Sequence, residues 1–253
     1  MKSFNIGIQL YSLKAQIAEF GLDAVLSTLQ SIGVEKVELA GYYGLSPAEL
    51  RAKLNSHGIS AVAAHIKLES IITDMEYIEA LGISKVYIPI SKLYTFSEEE
   101  RADYYARARE VSAILAARGL VFGYHNHAVE FSEGRDLVWE AMGQVPGLTS
   151  ELDIFWATVA ERDPLKVIEK YGNRLSALHI RELGSVTDGD NKDVLPHAIV
   201  GEGRSKCRES IRAAMELGVD TFILEVGAYP CDYVEYISKS IANIKKFVEE
   251  NLK

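Results

Sequence analysis

Apolar and β-branched residues in this chain come in short runs, and each run is followed by a stretch with the 3.6-residue period of an amphipathic helix. The runs at residues 4–10, 34–39, 59–65, 85–90, 121–127, 150–153, 175–180 and 221–226 predict eight strands. The helical stretch after the first strand is expected to reach about Ser31. Ser46-Pro47-Ala48-Glu49 reads as a capping box with proline in the first turn. Thr73-Asp74-Met75-Glu76 reads as a second box, with Gly82 as the stop. Ser97 and Glu100 cap the longest helix, which Gly119 ends; further helices are expected over 136–142 and from Asp163-Pro164. Regular β/α alternation predicts a parallel sheet, and eight units predict an α/β (β/α)8 TIM barrel as a single domain over residues 1–253. An open doubly wound sheet is the rival, but the GxGxxG turn it would carry after the first strand is absent.

Side chains alternate along a strand, so one parity faces the barrel interior. On that reading Gln9, Glu38 and His65 end the first three strands. Gly123, His125 and His127 share a face of the fifth, Glu151 pairs with Asp153 in the sixth, and Ala177, His179 and Arg181 align in the seventh. Ile223 pairs with Glu225 in the eighth. Each strand is apolar or small at its start and gains a polar group near its end. A packed barrel interior does not take unpaired charge, so a polar ring at the C-terminal ends belongs to a site or to a hydrogen-bonded plug. Strands five to eight contribute His125, Asp153, His179 and Glu225, one each, and adjacent strands lie about 4.8 Å apart. Two imidazoles and two carboxylates suit one divalent metal ion, Zn²⁺, Mn²⁺, Co²⁺ or Fe²⁺, better than Ca²⁺. No compact motif such as HExxH is present.

Composition narrows the partners. The 253 residues are 48% hydrophobic and carry a formal charge of −9, which argues against a nucleic-acid or anionic-membrane partner but leaves a small anionic substrate open. Two cysteines without a CxxC pair, no export signal and no long apolar run point to a cytoplasmic enzyme or binding protein, with a homo-oligomer left open.

From "IGIQLYSL" through "GYHNHAVEF", "ELDIFWA", "LHIRE" and "VGEGRSK" to "FILEV", the chain resembles the xylose isomerase-like TIM barrels, a superfamily of sugar (phosphate) isomerases and epimerases. The resemblance implies a divalent ion held by Glu, Asp, His and Glu on strands five to eight, which carries over to Asp153, His179 and Glu225. Strand five departs from the pattern: His125, or alternatively His127, stands where the family has Glu, a residue that in epimerases also shuttles a proton. Glu130 is expected in the following loop, too far along to replace it.

Other polar residues have two readings each. His65 and His127 can serve as general acid/base, since imidazole titrates near neutrality, or can hydrogen-bond substrate hydroxyls. Glu38 reads as a base or hydroxyl acceptor, or as a salt bridge to Lys67. Trp156 can stack on a sugar face or pack the rim. Arg181 can bind a substrate oxygen or carboxylate, or pair with Glu182 or Glu202. Gly201-Glu202-Gly203-Arg204-Ser205-Lys206 can cradle a phosphate or form a simple turn. The resemblance implies a metal-dependent isomerase or epimerase acting on a small sugar, keto-inositol or polyol-derived carbonyl compound through an enediolate. A dehydratase or 3-keto-glycoside lyase is the second reading, ahead of an endonuclease-IV-like nuclease and a non-catalytic binding barrel.

Overall fold

In a computed structural model, residues 3–89, 93–185 and 195–252 are described. The chain runs β1 (Asn5–Gln9), a 3-10 turn (Leu10–Leu13), α1 (Lys14–Phe20), α2 (Leu22–Ser31), β2 (Lys36–Leu39), α3 (Pro47–Ser56), β3 (Ser60–His65), α4 (Met75–Leu81) and β4 (Lys85–Ile88). It continues with α5 (Glu98–Ala116), β5 (Val121–His125), a 3-10 segment (Ala128–Gly134), α6 (Leu137–Gln144), β6 (Thr149–Asp153), α7 (Ile154–Val159) and α8 (Pro164–Tyr171). A 3-10 turn (Gly172–Arg174) leads to β7 (Leu175–Ile180), then β8 (Glu182–Leu183), β9 (His197–Ala198), α9 (Cys207–Glu216), β10 (Thr221–Leu224) and α10 (Tyr233–Glu250). Strands β1 to β7 and β10 close a parallel barrel in sequence order, β10 lying between β7 and β1, while β8 and β9 form a small antiparallel ribbon. The predicted TIM barrel is the observed fold.

The predicted caps at Ser46 and Ser97 form, each with both hydrogen bonds of a capping box. The one at Thr73 does not: α4 starts a residue later after Asp74, and the Thr73 hydroxyl donates to the Ser70 carbonyl. Gly21, at φ 82°, breaks the expected first helix into α1 and α2. A short helix, α7, follows β6 at once, ahead of the one expected at Asp163-Pro164. The predicted end of the fourth strand, Ile90, lies outside the described residues.

Inside the barrel, Val62, Ala63, Tyr87, Ala177 and Ile223 form a compact apolar cluster. Tyr87 fills the space because Gly123 on the neighbouring strand yields it: a Cβ on Gly123 would stand 2.6 Å from the Tyr87 ring. The Tyr87 hydroxyl hydrogen-bonds Ser176, which reaches Thr149.

Candidate metal centre and cleft

Asn126 explains why β5 stops at His125 rather than at His127. Its fully buried amide accepts from the Asp153 N–H at 2.9 Å and donates to the Asp153 carbonyl at 3.2 Å, so a side chain stands in for the next rung of the ladder. That pairing fixes the end of β6. Asp153 then caps α7, its Oδ1 accepting from the Trp156 N–H at 2.9 Å. Its Oδ2 is buried with no hydrogen-bond partner. Across the barrel, the Glu225 N–H donates to the Ile180 carbonyl at 3.2 Å, carrying the β7–β10 ladder one residue past the strand.

Ligand atoms of His125, Asp153, His179 and Glu225 lie within 4.8 Å of one another. His179 Nδ1 is 3.0 Å and His125 Nε2 3.8 Å from Glu225 Oε2. The sequence left His125 and His127 as alternatives on strand five; His125 joins this set, while His127 stands off it with ring centroids 5.1 Å apart. The set fits a first-row divalent ion by its chemistry, two nitrogen and two carboxylate donors. It fits also by the buried Asp153 oxygen that nothing among the described residues satisfies.

A second layer lies beneath. Glu151, on the inward face of β6, and Gln9, at the end of β1, both belong to it. Glu151 is fully buried, and its Oε2 is 2.7 Å from His65 Nε2, 3.2 Å from His179 Nε2 and 3.4 Å from His125 Nδ1. Glu38, also fully buried, meets His179 Nε2 at 2.6 Å, Gln9 Nε2 at 2.7 Å and His65 Nε2 at 3.2 Å. His65, His125, Glu151 and His179 form a second group of atoms within 4.8 Å of one another. The signal was present: a carboxylate of inward parity in a barrel interior must find partners on neighbouring strands.

Electrostatics separates the groups. Burial, then the charge of Glu225, raises Asp153 to about 7. Burial works against the ionised Glu151 and Glu225, yet His179 and His125 outweigh it and hold both carboxyls below the ordinary range. Glu38 goes the other way, raised by burial and by Glu151 beside it. Burial disfavours charge on His179, but Glu151 and Glu38 prevail and raise it well above an ordinary imidazole. His125, desolvated and facing His179, drops to about 3, so it is neutral near pH 7. His127 is lowered too, chiefly by burial.

A cleft of about 560 Å³ opens over the centre, lined among others by Tyr11, Tyr42, His65, Lys67, His125, His127 and Glu225. Three expectations change here. Glu38 is fully buried beneath the cleft, and its partners are His179, Gln9 and His65 rather than Lys67. Arg181 is absent from the lining, only 6% exposed, with its guanidinium 3.9 Å over the Phe155 ring and 5.1 Å from that of Trp156. It pairs with neither Glu182 nor Glu202; its Nη2 is 3.4 Å from His197 Nε2. Trp156, half-buried, packs between Arg181 and His127 and is not part of the lining either. The glycine-rich turn holds no free anion cradle: the Glu182 carboxylate already accepts from the Gly201 and Ser205 amides at 2.8 and 2.6 Å. Glu130 lies beyond β5, as expected, bound to the Tyr124 hydroxyl and the His127 N–H.

A closed β/α barrel with a mixed imidazole and carboxylate ring at the C-terminal strand ends is the arrangement on which barrel enzymes build their sites. The chain belongs to the xylose isomerase-like TIM barrel family, whose model matches residues 7–247. It is 24% identical over 195 residues to inosose dehydratase of Geobacillus kaustophilus, a match covering 64% of this chain and 62% of that protein. In structure it is similar to a sugar phosphate isomerase/epimerase from Parabacteroides distasonis (TM-score 0.73, 19% identity, 98% and 96% of the two chains). A xylose isomerase-like TIM barrel protein from Mycobacterium smegmatis in complex with magnesium is likewise similar (TM-score 0.74, 15% identity, 100% of each chain). So is a probable 3-DHS dehydratase from Bacillus anthracis (TM-score 0.72, 15% identity, 95% and 98%). No helix among the described residues is long and apolar enough to cross a membrane.

Proposed function

We propose that this protein is a metal-dependent enzyme that removes a proton from the carbon beside the carbonyl of a sugar, keto-inositol or related polyol, and returns it as an isomerase. His125, Asp153, His179 and Glu225 would hold one divalent ion; Zn²⁺, Mn²⁺, Co²⁺ and Fe²⁺ all match the donors. When bound, such an ion supplies Lewis-acid stabilisation of negative charge on the substrate carbonyl oxygen. The observation that carries the reading is the donor set at the floor of a cleft with two further imidazoles, His65 and His127, in its wall.

The protein's own groups divide the work by position. His127, kept neutral by burial, can accept the proton at a ring nitrogen; its backbone is pinned by Glu130 through the His127 N–H at 2.7 Å. Trp156 sits against the His127 ring, with centroids 5.6 Å apart, and restricts its orientation. Arg181 backs Trp156 rather than touching substrate. His65 donates from Nε2 into the buried carboxylates and leaves its other edge to the cleft as a hydroxyl partner.

The second reading, a dehydratase or 3-keto-glycoside lyase, is favoured by one specific feature. The strand-five position holds an imidazole, His125, where the resemblance implies a carboxylate, which removes one of the two carboxylates that epimerisation uses to move the proton. That weighs against epimerisation; isomerisation and elimination each proceed with one base. Proton NMR in D₂O with a panel of ketoses, inososes and 3-keto-glycosides tests both readings. Deuterium beside the carbonyl with an isomerised product supports the first, and loss of water or aglycone supports the second. Absence of exchange with the metal-loaded protein across all three classes would contradict both.

A further inference from the structure

The layer under the donor set has no access to substrate. Glu38 and Glu151 are both fully buried and neither lines the cleft. Two carboxylates on adjacent levels of a barrel interior are costly unless something uses their charge. What they face is the far side of the two imidazoles in the donor set. His179 presents Nδ1 to Glu225 at 3.0 Å and Nε2 to Glu38 at 2.6 Å. His125 presents Nε2 toward Glu225 and Nδ1 toward Glu151, at 3.8 and 3.4 Å. Each ring therefore spans the two layers, one nitrogen in each.

We propose that Glu38 and Glu151 are positioning residues for the metal ligands: Glu38 holds the proton of His179 on Nε2 through a hydrogen bond, Glu151 places its charge 3.4 Å behind His125 Nδ1 without a formed hydrogen bond, and the opposite nitrogens are left with lone pairs aimed at the ion. This inference rests on the metal-site reading above. A carboxylate behind a ligating imidazole fixes its tautomer and ring orientation and makes it a stronger donor. The anchor is itself anchored. Gln9 donates from Nε2 to Glu38 at 2.7 Å, and its Oε1 accepts from the Tyr11 N–H at 3.1 Å, so the amide has one orientation. His65 Nε2 lies between the carboxylates, 2.7 Å from Glu151 and 3.2 Å from Glu38, and ties one to the other. The centre thus draws on β1, β2 and β3 as well as on the four strands that carry its donors.

Zinc affinity of the metal-free protein, measured by chelator competition, tests this without recourse to activity. Glu38→Gln and Glu151→Gln are each expected to bind zinc about 10- to 100-fold more weakly than wild type and to shift the visible bands of the cobalt-substituted protein. Asp153→Ala is expected to lose tight binding altogether. Gln9→Met loosens Glu38 without removing a carboxylate; weaker binding is expected there too, which keeps the test open if a glutamate variant does not fold. Wild-type affinity and spectra in folded Glu38→Gln and Glu151→Gln, with binding lost in Asp153→Ala, would overturn the inference while leaving the metal site standing. A wild-type protein without tight zinc binding would overturn the metal reading, and this one with it.

Discussion

Asp153 divides its carboxylate between two tasks: Oδ1 caps α7 and Oδ2 is left bare in the donor set. The cap sets the side-chain angle, so the free oxygen is aimed before any ligand arrives. His127 is placed in a similar way by Glu130, and replacing its ring tests the proposed base. His127→Gln is expected to lower kcat about 10²- to 10⁴-fold with a smaller change in KM, read in steady-state assays on whichever substrate the NMR panel identifies. His197 offers a check that needs no substrate. Burial, then the Arg181 charge, lowers it to about 4. Nitrogen-15 NMR should therefore find it neutral at pH 5.5; a midpoint near 6.5 would contradict the Arg181 placement. Because the folded value is depressed, the unfolded chain takes up this proton first. The contribution to stability is present above about 6.5 and is lost as pH falls from there toward 4.

Elements were legible where their punctuation was local. Ser46 and Ser97 announce α3 and α5 because each cap is closed within four residues. The strand ends were harder, since what stops β5 is an Asn126 side chain bonded to β6, a contact 27 residues away in sequence. The helix α7 escaped for a related reason: its N-cap is Asp153, which reads as a strand end and a ligand candidate. Of the candidate site, the inward parity of His125, Asp153, His179 and Glu225 was readable, whereas the depth of each side chain was not. The register also shifts between Val37 and Glu38 and between Ser150 and Glu151, at the two buried carboxylates, and alternation along a strand does not reveal such shifts. Two substitutions test the packing at this scale. Gly123→Ala forces a methyl against Tyr87 and is expected to cost about 1–3 kcal/mol in denaturant unfolding. Glu182→Ala leaves the Gly201 and Ser205 amides without their acceptor and should destabilise by about 1–3 kcal/mol or more, while wild-type stability would contradict the turn described here.

At the scale of the molecule, the barrel gathers Glu38, His65, His125, Glu151, Asp153, His179 and Glu225 into one end and leaves the other closed by Tyr87, Ser176 and Thr149. The two layers share one feature: each ties one carboxylate oxygen into imidazoles or a helix cap and leaves another buried without a hydrogen bond, Glu38 Oε1 and Glu151 Oε1 below and Asp153 Oδ2 above. An ion binding the folded chain alone at about a thousand times its Kd would add about 4 kcal/mol. For a domain of this size that corresponds to roughly 10 °C in Tm, so chelation should lower the melting temperature by about that amount. The most direct measurement is elemental analysis of the purified protein beside its Asp153→Ala variant after dialysis against metal-free buffer. The proposal predicts close to one divalent transition-metal ion per wild-type chain and almost none in the variant. Equal metal in both proteins, or none in the wild type after reconstitution with zinc, manganese, cobalt and iron in turn, would contradict it.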